Sequence, residues 1–172
     1  KDKATVFYTA LYHCFIHPSL NMDVDNRYRG RDNKIHTAEG FTNYSVFSLW
    51  DTYRALHPLF TIVERKRTAD FVNSFLNQYK QSGRLPVWEL SGNETDCMIG
   101  FHSVSVIADA IEKGIEGFDK KEVYAAARAA AEYTAYGIPV FNKNGYLQVD
   151  DESERVSKAL EYAYDNLCIA QM

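Results

Sequence analysis

A chain of 172 residues that is 46% hydrophobic and 24% charged is long enough to bury a core, and no apolar run in it has membrane-spanning length. A net charge of -4 gives no general attraction to nucleic acid, whose phosphates are met by Lys and Arg clusters. Aromatic residues are the unusual feature at 14%, and such rings both fill helical cores and pack on the C–H faces of sugars.

Apolar spacing predicts an all-α chain of helical segments, read here as one unit over residues 1–172. The first helix covers about Ala4 to Ile16. A second runs from about Ser45 to Leu56, with Val46, Leu49, Tyr53 and Leu56 at helical spacing and His57-Pro58 as its stop. The third spans about Arg67 to Gln81, carries Phe71, Phe75 and Tyr79 on one stripe, and stops at Gly83. Between it and the next helix, Leu85 to Leu90 reads as a short extended piece. The fourth, about Cys97 to Glu112, is apolar over most of its surface and is expected to be deeply buried. The fifth starts at an Asp119/Glu122 capping box and continues to about Tyr136. The sixth begins near Asp151 and runs through Val156, Leu160, Tyr164 and Leu167. It reaches Met172 still in helical phase and without a C-cap, which suits half of a six-hairpin toroid better than a closed bundle.

If neighbouring helices pair antiparallel, the three longer joints share one end of the molecule. That end collects Asp23, Asp25, Arg27, Arg29, Trp88, Glu89, Asn93, Glu94 and Asp96, and loops on a rigid scaffold are where chemistry usually sits. Cys14, Cys97 and Cys168 have no metal-ligand spacing and read as buried free thiols.

The densest constellation is Trp88-Glu89-Leu90-Ser91-Gly92-Asn93-Glu94-Thr95-Asp96, three carboxylates and a tryptophan ahead of an apolar helix. Glycoside hydrolysis needs such parts: an acid to protonate the leaving oxygen and a ring to pack on sugar. The plainer reading is helix capping by Asn93 or Asp96, with Glu94 near the positive end of the dipole. A second constellation is Trp50-Asp51-Thr52-Tyr53-Arg54. Asp51 and Arg54 are close enough on a helix to form a structural ion pair, or to clamp sugar hydroxyls beside Trp50. Asp23-Val24-Asp25-Asn26-Arg27-Tyr28 is not an EF-hand, because Tyr28 stands where the loop needs glycine. No metal-ligand set is identified within the chain.

Taken together, these stretches resemble glycoside hydrolase family 92. The resemblance is carried by Phe7 through Tyr12, Asp25 through Gly30, Phe47 through Leu59, Gly83 through Pro86, Trp88-Glu89-Leu90, Asn93 through Gly100, and Val156 through Tyr162. It implies an inverting, calcium-dependent exo-α-mannosidase that pairs a β-sandwich with an (α/α)6 toroid, this chain being about half of the toroid. It also implies a periplasmic or secreted location, a mannose-containing glycan as substrate, and the remainder of the parent enzyme as partner. On this reading Glu94 is the general acid, while Trp50, Asp51, Arg54, Trp88 and Glu89 contact the sugar. The general base and most calcium ligands would lie beyond Met172. Members specific for α-1,2 bonds carry His-Glu before the Val-Ser-Lys run, where this chain reads Ser153-Glu154-Arg155. The competing expectation is a non-catalytic helical carbohydrate-binding or interaction module.

Overall fold

A computed structural model describes residues 2–172, of which helices are the main component at about 52% of the chain. Eight helices are present among the described residues: α1 (Asp2–Cys14), α2 (Leu49–Thr52), α3 (Leu56–Val63), α4 (Arg65–Ser82), α5 (Ser103–Glu112), α6 (Lys120–Ala131), α7 (Ile138–Asn144) and α8 (Arg155–Gln171). Seven short strands lie in the long connections: β1 (Ser19–Leu20), β2 (Arg27–Arg29), β3 (Ile35–Thr37), β4 (Tyr44–Ser45), β5 (Phe47–Ser48), β6 (Trp88–Leu90) and β7 (Asn93–Glu94). Of the extended piece expected at Leu85 to Leu90, only Trp88–Leu90 forms a strand, β6.

The core forms where α4 and α5 meet. Phe71, Val72 and Phe75 of α4 and Val104 and Ile107 of α5 are fully enclosed, as the sequence stripes predict. Helix α4 packs on α3, α5 and α6, while α8 packs on α5 and α6. Ala126, Ala127 and Ala130 let α6 approach its neighbours closely, and Asp119 caps it by accepting from the backbone N–H of Lys121 and Glu122. Glu122 does not reach back to complete a capping box; it pairs with Lys80 at 2.6 Å.

Four helix boundaries differ from the sequence expectation. The segment read as one helix from Ser45 to Leu56 is β4, β5 and α2, and His57-Pro58 lies inside α3 instead of stopping a helix. Proline is tolerated in a first turn because its missing N–H has no partner to lose there. The fourth helix starts at Ser103 and not at Cys97, because Asp96, Met98 and Gly100 all take positive φ. Neither Asn93 nor Asp96 therefore caps it. The fifth ends at Ala131, and α7 follows as a separate helix opening on Gly137 and Ile138-Pro139. The sixth begins at Arg155, four residues late.

The three cysteines are free, but only Cys168 is buried; Cys97 is exposed and Cys14 half-buried. Asp25 is engaged by its neighbour Arg27 at 2.6 Å. No described helix is long and apolar enough to cross a membrane.

Candidate active site

Strands β5, β6 and β7 form one antiparallel sheet that carries Trp88, Glu89 and Glu94. Phe47 pairs with Glu89, Ser48 with Trp88, and Glu89 with Glu94. Strand β5 runs directly into α2, which carries Trp50 and Asp51, with Arg54 two residues past its end. The two constellations, far apart in sequence, are thus joined through three hydrogen-bonded strands. The first long connection reaches the same place: Arg29 donates to the Ser91 carbonyl at 2.9 Å, and Arg31 to that of Arg84 at 2.9 Å.

Glu94 is nearly enclosed, its side chain 8% exposed. Oε1 accepts the N–H groups of Trp88 at 2.8 Å and Asp96 at 3.1 Å. Oε2 accepts that of Val87 at 2.8 Å and faces the Arg31 guanidinium at 3.5 Å. Both lone pairs of Oε1 are therefore committed, and Oε2 is shared between the Val87 N–H and Arg31. Beside it, Asp96 pairs with Arg84, whose guanidinium lies over the rings of Tyr133 and Tyr136 at 4.5 and 4.9 Å. Arg84, Asp96, Tyr136, Glu154 and Lys158 border a cavity of about 180 Å³ under this loop.

Glu89 does not reach any open surface, which corrects its expected place at the sugar. Its carboxylate is fully buried and accepts from Ser45 Oγ at 3.0 Å, Gly92 N–H at 2.6 Å and Val46 N–H at 3.2 Å. Burial pushes its pKa up, against the pull of these donors. Val46 is where the chain leaves the β1–β4 pair for the β5–β6 pair, and it does so at φ 68, a strained angle for a β-branched residue. Glu89 holds that crossing from beneath.

Asp51 is exposed and makes no ion pair with Arg54. The Arg54 guanidinium instead stacks on Trp50 and Tyr53, 4.7 Å from each ring, and lies 3.6 Å from Glu161. Glu161 also accepts from the Trp50 indole N–H at 3.2 Å. Sequence reasoning missed Glu161 because its partner ring is 111 residues away. Among the described residues, no three His, Cys, Asp or Glu side chains gather to hold a metal ion.

Comparison with known proteins decides the family. The profile of the glycosyl hydrolase family 92 catalytic domain matches residues 1–172. The chain belongs to glycoside hydrolase family 92. Among solved structures it is similar to the family 92 α-mannosidase BT3965 of Bacteroides thetaiotaomicron in complex with mannoimidazole, at 51% identity and a TM-score of 0.94, covering 95% of this chain and 22% of that one. The inverting mannosidase BT2199 of the same organism shares 32% identity with a TM-score of 0.88, covering 95% of this chain and 24% of that one. The family member ccman5 shares 25% identity with a TM-score of 0.68, covering 96% of this chain and 21% of that one. No curated protein matches. The chain thus spans less than a quarter of the length of the structures it resembles.

Proposed function

We propose that this chain is part of the (α/α)6 catalytic toroid of an inverting exo-α-mannosidase. The remainder of that enzyme would supply the general base, the β-sandwich and the calcium site. Kinship with one protein described as an α-mannosidase and another as an inverting mannosidase supports the reaction class. The observation that carries the site is the three-stranded sheet, which puts Glu94 on one outer strand and leads from the other into Trp50 and Asp51. Glu94 would protonate the departing oxygen. Trp50, Asp51, Arg54 and Trp88 would form the wall against which the terminal mannose rests. An inverting pair needs carboxyl groups about 6.5–9.5 Å apart to admit the attacking water, so the base must come from a segment facing this sheet.

The contacts of Glu94 also favour a second reading, in which it only braces the loop and the chain binds sugar without acting on it. Leaving-group dependence separates the two. In the full-length protein Glu94→Gln should slow hydrolysis of mannosides with poor leaving groups by about 10²–10⁴-fold, and far less with a dinitrophenolate that needs no proton. Because both oxygens accept N–H groups, the new amide must also turn a donor toward a donor. That distortion should fall on all substrates alike. An equal loss for good and poor leaving groups would leave only the brace. A panel of mannobioses then identifies the linkage, with α-1,2 the first to test, since Ser153-Glu154-Arg155 lacks the His that accompanies it elsewhere.

A further inference from the structure

His102 is enclosed on every side just ahead of α5. Its ring is 1% exposed and stacks on Tyr53 with centroids 4.1 Å apart. Nδ1 lies 2.8 Å from Oδ1 of Asp165, a carboxylate that is wholly buried and also accepts the Phe101 N–H at 2.7 Å. Nε2 lies 3.0 Å from Oε2 of Glu161, set off the line of a hydrogen bond. A Cβ on Gly100 would stand 2.6 Å from that same Nε2, so only glycine leaves the ring its place. Glu161 divides its two oxygens between two tasks. Oε2 faces His102 and the Tyr53 hydroxyl at 3.5 Å, while Oε1 faces the Trp50 indole and the Arg54 guanidinium.

We propose that His102 is a positioning residue for the sugar wall: braced by Asp165, it fixes Glu161, which in turn fixes Trp50 and Arg54. The inference rests on the reading of Trp50 and Arg54 as that wall. The physical ground is the hierarchy of burial. Asp165 and His102 are immobile in the core, Glu161 is half-buried, and Arg54 is exposed. An exposed cation and a half-exposed indole gain a defined geometry only if the carboxylate between them is itself held, since an unsupported surface pair contributes little.

Two replacements divide the histidine into its halves. Asparagine places an amide near Nδ1 and keeps the contact with Asp165; glutamine reaches toward Nε2 and keeps the contact with Glu161. In the full-length protein, His102→Asn should raise KM for an aryl α-mannoside roughly tenfold, the scale of a lost charge-assisted contact, with little change in kcat. His102→Gln should restore most of that loss. Trp50→Phe should add little in the His102→Asn background, because its partner is already loose. If His102→Asn does not fold, Glu161→Ala, which leaves the Trp50 indole and Arg54 without their acceptor, must produce the same KM rise and the same non-additivity with Trp50→Phe. Equal KM changes for Asn and Gln, or full additivity with Trp50→Phe, would overturn the proposal. Absence of mannoside hydrolysis by the wild-type protein would sink only the enzyme reading. The inference would then be decided by crystal structures of the two variants: Trp50 must part from Glu161 in His102→Asn and stay in His102→Gln.

Discussion

His57 is a buried residue whose ring makes no hydrogen bond. It is 1% exposed, both ring nitrogens lack a partner, and Phe47, Phe60, Phe71 and Phe75 surround it. Burial alone lowers its pKa from 6.5 to about 3. A depressed histidine favours the fold fully above pH 6.5, where the unfolded chain is also neutral. As pH falls from 6.5 towards 3 the unfolded state takes a proton that the folded state refuses, and stability falls. Replacing the ring by an apolar side chain also removes two unpaired polar atoms. His57→Leu is therefore expected to stabilise by about 1 kcal/mol at neutral pH and to flatten the acid limb between those values. Thermal unfolding of the full-length protein across that range measures both effects, and an unchanged acid limb would mean that another group carries it. The same core explains Glu89. In the sequence it looks like a sugar contact because it follows a tryptophan, yet register puts it on the inner face of β6, where its three donors hold the Val46 crossing. Alternation along so short a strand could not have told the two faces apart.

The helices that pack on all sides were legible and the places where the chain turns sharply were not. Helix α4 and the apolar face of α5 follow from Phe71, Phe75, Val104 and Ile107, whose spacing alone demands a buried stripe. The stretch from Cys97 to His102 has equally apolar composition but is not helical, because it must lower Phe101 and His102 onto Asp165, a residue 63 positions away from the histidine. Long-range polar contacts of this kind override local periodicity. The alternation of joint lengths points to the meeting of the first and third connections, which Arg29 and Arg31 join, but not to α7, which occupies the fifth. The sheet at that end was not legible, since pairs such as Ser48 with Trp88 form between strands of two or three residues. Gly100 tests the importance of that local path. Alanine at Gly145 meets nothing within 4 Å and should pay only for its left-handed backbone, about 1 kcal/mol. Alanine at Gly100 has the same backbone penalty and also collides with His102, which Tyr53 holds in place. Gly100→Ala should lower the unfolding temperature clearly more than Gly145→Ala, and equal losses would show that the ring can move aside.

Viewed whole, the molecule keeps two apolar surfaces uncovered. Helix α1 buries no residue, and Val6, Phe7, Tyr8 and Tyr12 are each 60% exposed or more. Helix α8 is apolar on two sides. Tyr162, Cys168 and Ile169 face the core, while Val156, Leu160 and Leu167 recur at helical spacing on the outside, each more than half exposed. Ordinary monomers seldom leave apolar residues contiguous in this way, and the chain spans less than a quarter of the length of the structures it is similar to. The isolated chain is therefore expected to self-associate. Light scattering should show a mass that rises with concentration, and a hydrophobic dye should bind it. Val156→Lys with Leu160→Lys should reduce that association in the isolated chain, because the outer stripe of α8 makes no core contact to lose. In the full-length protein the same pair should lower stability, since charges would then be buried against whatever covers α8. The opposite signs are the useful feature: a solvent-facing stripe would tolerate lysine in both settings, and a core stripe would tolerate it in neither. A sharp, concentration-independent monomer of high thermal stability would instead mean that the chain is a self-contained domain.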